Sequence, residues 1–123
     1  MILEAGMKNS VTITVTDAMC ADVLDSQLPR VDLPHVFSTP NMINLMELTC
    51  ADLIARSIEN GYGSVGMAVD VKHVAATQAG KQVTCEAELV ETDGRKLLFK
   101  VTAFDENGKI GFGTHKRAII KKK

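Results

Sequence analysis

Val11-Thr-Ile-Thr-Val-Thr16 alternates apolar residues with threonines, the two-residue period of a strand with one buried face. Residues 17–38 lose that period and contain Pro29 and Pro34, so they predict a short helix or turn followed by a loop. The pattern changes again at Thr39-Pro40, where a threonine N-cap and a proline at the first helical position predict a helix start. Residues 42–54 are apolar enough for the central helix of a small domain. The spacing predicts that this helix continues to Glu59 and stops at Asn60-Gly61. About 20 residues at a rise of 1.5 Å give a helix of roughly 30 Å.

Strand-like alternation fills the rest of the chain. Val65, Met67, Val69 and Val71 alternate with Ser64, Gly66, Ala68, Asp70 and Lys72, so the odd positions are expected to face the core. His73 continues that inward series. Val83, Cys85, Ala87 and Leu89 alternate with Thr84, Glu86 and Glu88 in the same way. Asp93-Gly94 and Asn107-Gly108 predict tight hairpin turns around a strand at 96–105. Residues 110–120 complete a run of four strands in hairpin order. One strand, one long apolar helix and an antiparallel meander make an α+β fold. The sheet must wrap the helix, because no other element is available to cover it. Its open edges predict side-by-side pairing of two chains, a homodimer.

The 123 residues are expected to form one domain, 1–123. An apolar content of 46% with 24% charged residues is ordinary for a soluble globular protein. No apolar run reaches the roughly 18 residues that span a bilayer, and the N-terminus lacks a secretory pattern. The expectation is therefore a cytoplasmic protein with no membrane partner. Cys20, Cys50 and Cys85 show no C-x-x-C spacing, which points to neither a disulfide framework nor a metal site. Cys50 and Cys85 read as small core residues. A net charge of −1 with one Tyr and four Phe argues against a nucleic-acid partner. The exception to this balance is the basic terminus from His115 to Lys123. It is either a solvated tail or a landing site for a phosphorylated ligand such as coenzyme A.

Glu47 is the candidate that demands an explanation. An ionised carboxylate within an apolar helix is costly unless a partner pairs with it or a reaction uses it. His73, inward on the following strand, is the expected partner, an arrangement that orients a base or poises a nucleophile. Thr39 adds a hydroxyl at the helix N-terminus, where free N–H groups stabilise a developing oxyanion. Pro40 has no N–H, so the donors would come from Asn41 or Met42. These are the components of acyl transfer or ester hydrolysis without a metal. Thr39 and Glu47 are eight positions apart, about 12 Å along a regular helix. Bringing them together needs a substrate between them, a later helix start, or a residue from a partner chain. Plainer readings stay open: Glu47 reaching solvent or an internal partner, Thr39 as a pure N-cap, and His73 as a satisfied core histidine. His35 is expected to be exposed in its proline-containing loop. His115, after Gly111-Phe-Gly-Thr114, is expected to be structural or at a ligand rim.

Val36-Phe-Ser-Thr-Pro-Asn-Met-Ile-Asn-Leu-Met-Glu47, Ser64-Val-Gly-Met-Ala-Val-Asp-Val-Lys-His-Val-Ala-Ala-Thr77 and Gly111-Phe-Gly-Thr-His-Lys-Arg-Ala-Ile-Ile120 together resemble the fluoroacetyl-CoA thioesterase-like branch of the hotdog-fold superfamily. The likeness runs from about residue 10 to 120. It implies a hotdog fold, dimers formed by sheet extension, and hydrolysis of an acyl-CoA; whether the dimers pair into a tetramer is left open. It also implies no metal or redox cofactor, coenzyme A entering only as part of the substrate. The family's catalytic Thr, Glu and His fall on Thr39, Glu47 and His73. Its strand glycine, whose backbone approaches the acyl group, falls on Gly66, where a Cβ would occupy the ligand's space. Leu33, Asn41 and Met42 join Gly66 as expected substrate-binding residues. Two positions depart from the pattern: Pro40 stands where relatives commonly have Gly, and Leu33 where a Phe closes the acyl pocket. The chemistry of the branch is thus expected, but not its fluoroacetyl substrate. The alternatives are a hotdog hydratase or dehydratase, a non-catalytic acyl-CoA or small-ligand binding module, and a structural dimer.

Overall fold

The computed structural model describes residues 3–23 and 31–122. Pro29, and Lys123 at the end of the basic terminus, lie outside the described residues. The main elements are β1 (Lys8–Thr14), α1 (Thr39–Ala55), β2 (Tyr62–His73), β3 (Gln82–Thr92), β4 (Lys96–Asp105) and β5 (Gly108–Lys121). Met42, Leu45, Met46, Thr49, Cys50, Leu53 and Ile54 recur every three or four residues and form the buried stripe of α1. The sheet supplies the other half of the core through Val83, Cys85, Leu89, Leu97, Phe99 and Val101. Each large side chain so buried stabilises the fold by about 1.5–3 kcal/mol relative to exposure. Cys20, Cys50 and Cys85 are buried free thiols. Among the described residues, no helix is long and apolar enough to cross a membrane.

The strands make one antiparallel sheet in the order β1-β3-β4-β5-β2. Only β3, β4 and β5 follow one another as a meander; β2 pairs with β5 at the far edge. The expected hairpin order therefore holds for three strands and not four. The chain leaves β2 at His73, and residues 74–81 carry it across to β3. The two turns lie where the dipeptides put them, with Gly94 and Gly108 at positive φ. This long helix covered by a curved sheet is the arrangement that the resemblance implies.

Three boundaries differ from the sequence reading. Ser38, not Thr39, is the N-cap, and its hydroxyl accepts from the Asn41 N–H. Thr39 becomes the first helical residue, with its hydroxyl released from capping. The helix also stops at Ala55 rather than Glu59. There the Ser57 hydroxyl bonds to the Leu53 carbonyl, and the Ser57 N–H reaches back only to Ile54, which tightens and closes the last turn. The third difference is in β2. A bulge between Gly66 and Ala68 inserts Met67 against β5 and reverses the strand's alternation. Ser64 and Gly66 face the helix before the bulge, whereas Val71 and His73 do so after it. The inward placement of Val65 and Met67 is overturned: they remain 42% and 52% exposed.

The two edges of the sheet are unlike. The exposed positions of β1 are Lys8, Ser10, Thr12 and Thr14, a polar row that discourages pairing. Along β2, Tyr62, Val65, Met67 and Val69 are large apolar side chains open to solvent.

Candidate active site

The first turn of α1 and the end of β2 meet at Thr39 and His73. Thr39 Oγ1 lies 2.8 Å from His73 Nδ1. Because Ser38 performs the capping, this hydroxyl is available to the imidazole. His73 Nε2 is buried with no hydrogen-bond partner among the described residues, an arrangement costing about 1–3 kcal/mol unless a ligand or substrate uses it. Burial pushes the His73 imidazole below its ordinary pKa, partly opposed by the Ala75 backbone. Thr39 and His73 border a hollow of about 320 Å³, shared with Ala21, Val36, Phe37, Ser38 and residues 74–76. Larger grooves, of about 500 and 630 Å³, lie over β1, β3 and β4 and over β4 and β5. Neither contains Thr39, Glu47 or His73.

The oxyanion donors differ from expectation. The Asn41 N–H is held by the Ser38 hydroxyl, and the Met42 N–H by the Ser38 carbonyl. Pro40 has none, which leaves the Thr39 N–H as the first-turn donor uncommitted among the described residues. The Asn41 side chain braces the cap, donating to Ser38 Oγ and the Met19 carbonyl. Met42 is completely buried, with its thioether packed where a Cβ at Gly111 would stand. It is a core residue and does not border the hollow. Leu33 is 41% exposed on the segment leading to the helix.

Glu47 occupies a second cluster. Its Oε1 is 3.6 Å from Arg117 Nη1 and 3.9 Å from His115 Nε2, with the side chain 38% exposed. A Cβ at Gly66 would stand 2.7 Å from that oxygen, so a larger residue there would push the tip of the carboxylate aside. The imidazole beside Glu47 is thus His115 and not His73. Since α1 begins at Thr39, the late helix start is also removed, and about 12 Å of helix separates the two clusters. The chain brings Thr39 to His73 and Gly66 to Glu47, but does not join the pairs.

Arg117 escaped the sequence reading because lysines surround it in what looked like a basic tail. Most of that tail belongs to β5, and from residue 115 onward the described lysines, Lys116, Lys121 and Lys122, are exposed while Arg117 is buried. Its shared parity with His115 and Ile119 was the available signal. His35 is exposed as expected, with each ring nitrogen 2.7 Å from a carboxylate oxygen, of Asp17 and Asp22. Among the described residues, no three His, Cys, Asp or Glu side chains gather as metal ligands.

Residues 15–123 match the family model of the fluoroacetyl-CoA-specific thioesterases, FlK. The chain belongs to this family. The match contains both clusters, from Leu33 to Arg117. Within the FlK family, the fluoroacetyl-CoA thioesterase of Streptantibioticus cattleyicolor is 46% identical over 89 residues. That alignment covers 72% of this chain and 64% of the relative, just under two thirds of its length. A single-site variant of FlK superposes with a TM-score of 0.93 at 37% identity, covering 98% of this chain and 90% of that one. An FlK variant in complex with fluoroacetate and CoA gives 0.88 at 36% identity, covering 97% and 96%. A thioesterase superfamily member from Thermus thermophilus gives 0.87 at 26% identity, covering 97% and 85%. The FlK-family chain therefore has the hotdog fold.

Proposed function

We propose that the protein hydrolyses a small acyl-CoA thioester to the free acid and CoA. It does so as a cytoplasmic homodimer joined along β2, with residues 1–123 acting as one catalytic domain. The observation that carries this reading is the Thr39 hydroxyl, freed from capping, 2.8 Å from the His73 imidazole at a helix N-terminus. The apolar edge of β2 favours a second copy of the same strand, because burying Val65, Met67 and Val69 removes apolar surface from water. Antiparallel pairing centred between Val69 and Asp70 would set His73 opposite the partner subunit's Gly66. Thr39 and His73 of one chain would then face the partner subunit's Glu47 across the substrate.

In this scheme the thioester carbonyl sits at the first turn of α1, with its oxygen toward the Thr39 hydroxyl and N–H. His73 holds the hydroxyl in place. The partner subunit's Glu47 takes a proton from water, whose oxygen bonds to the carbonyl carbon. Negative charge develops on the carbonyl oxygen, where those donors meet it. The C–S bond then breaks, and the CoA thiolate leaves with the proton held by Glu47. No metal or redox cofactor enters. Gly66 and Leu33 border the acyl group, and Asn41 supports the turn that binds it. The leucine at position 33 leaves the identity of the acyl group open, fluoroacetyl included.

Free-thiol release from acetyl-, propionyl-, butyryl- and fluoroacetyl-CoA tests the proposal. Thr39→Ala and Glu47→Gln are each expected to lower turnover at least about 100-fold. Thiol release no faster in the wild type than in both variants would end it. Loss of enoyl-CoA absorbance without thiol release would reassign the site to hydration, and thermal stabilisation without turnover would make it a binding module.

A further inference from the structure

His115 has Glu47 Oε1 at 3.9 Å and two closer polar neighbours, and the two closer ones dictate its state. Its Nδ1 lies 2.8 Å from the Ala68 carbonyl oxygen, which can only accept, so Nδ1 carries the hydrogen. Its Nε2 lies 3.1 Å from Arg117 Nη1, which can only donate, so Nε2 presents its lone pair. The ring is therefore neutral and in one tautomer. Burial, more than any other influence, holds its pKa below the ordinary value, and the Arg117 charge adds to this against the Ala68 carbonyl and Glu47. The ring itself is 1% exposed.

Arg117 is fixed on its other side as well. Its Nε donates to Ser64 Oγ at 2.9 Å and its Nη2 to the Ser64 carbonyl at 3.2 Å. Nη1 has two hydrogens. His115 accepts one, and Glu47 Oε1 lies 3.6 Å from the same nitrogen. The guanidinium is thus anchored to β2 on both sides of the bulge, through Ser64 before Met67 and through His115 and Ala68 after it. A planar fork held at three corners has little freedom to leave the carboxylate.

We propose that His115 is a positioning residue, which orients Arg117 and through it the carboxylate of Glu47. This rests on the reading of Glu47 as catalytic. A positioning role differs from a structural one in its coupling: without the Glu47 carboxylate, His115 has nothing left to position.

The test is a double-mutant cycle on the fastest acyl-CoA of the panel. His115→Gln keeps an acceptor near the Nε2 position for Arg117. His115→Asn keeps the donor to Ala68 and removes that acceptor. His115→Asn is expected to lower kcat by about tenfold with KM within about twofold, whereas His115→Gln retains most activity. In the Glu47→Gln background, His115→Asn should have no further effect. An equal loss in both backgrounds would overturn the inference and leave Glu47 catalytic. Wild-type kcat in Glu47→Gln alone would remove that reading and this inference with it. Should His115→Asn fail to fold, Arg117→Lys enters the same cycle, keeping the charge and losing the fork. Additive losses there overturn the proposal equally.

Discussion

Two inactive variants, Thr39→Ala and Glu47→Gln, bear directly on whether one chain or two build the site. Within a chain, about 12 Å of helix separates the two positions, and roughly 20 Å of strand separates Gly66 from His73. A hydrogen bond spans only about 3 Å. Each variant alone should lose at least about 100-fold in kcat, the usual scale for an acid–base or oxyanion group. In a mixed dimer, one site carries both substitutions and the other carries neither. Random mixing in equal amounts makes half the dimers mixed, so about one site in four is intact and about a quarter of wild-type activity returns. The assay is thiol release after co-refolding or co-expression, with different tags confirming that mixed dimers form. Activity equal to the sum of the two parents, with mixed dimers present, would refute the two-chain site. A monomer by light scattering would refute it sooner.

Two further outcomes follow from the geometry. Ser38→Ala should cost about 1 kcal/mol of stability, because it removes the N-cap, and leave kcat nearly unchanged. Thr39→Ala should do the reverse; a stability loss from Thr39→Ala without loss of rate would return Thr39 to a structural role. The histidines should titrate in a fixed order in NMR spectra. Asp17 and Asp22 hold His35 above its ordinary value of 6.5, while burial holds His73 and His115 below it. The His35 contribution to stability is complete below pH 6.5 and lost as pH rises through its folded pKa. The His73 and His115 contributions are complete above pH 6.5 and lost as pH falls toward their folded values. His35 titrating below His115 would contradict this.

Periodicity located the helix, the hairpin turns and β4, because each rests on local chemistry: an apolar stripe, or a glycine at positive φ. It misplaced the cap by one residue. Ser38 and Thr39 are both good caps, and the choice between them depends on tertiary contacts to His73 and Asn41. The parity of Val65 and Met67 failed for a different reason. A bulge is set by pairing with β5, and β2 carries no local mark of it beyond Gly66. Glu47 stands out in the sequence as a carboxylate in an apolar helix; in the fold it is 38% exposed and meets Arg117 on β5, the last strand. Nothing in the spacing between Glu47 and Arg117 records that they meet.

The Met67 bulge works as a phase shift in the strand. With strict alternation, Gly66 and His73 lie on opposite faces, since one is even and the other odd. The inserted residue lets both look inward, one toward Glu47 and one toward Thr39. The identity of the side chain at position 67 is therefore of little consequence to this feature, whereas the count of residues is decisive. Removing one residue there acts like a frameshift in three dimensions: it would turn either the glycine or the histidine to the outer face. Chains one residue longer or shorter between these two positions, with no second bulge to compensate, cannot turn both inward.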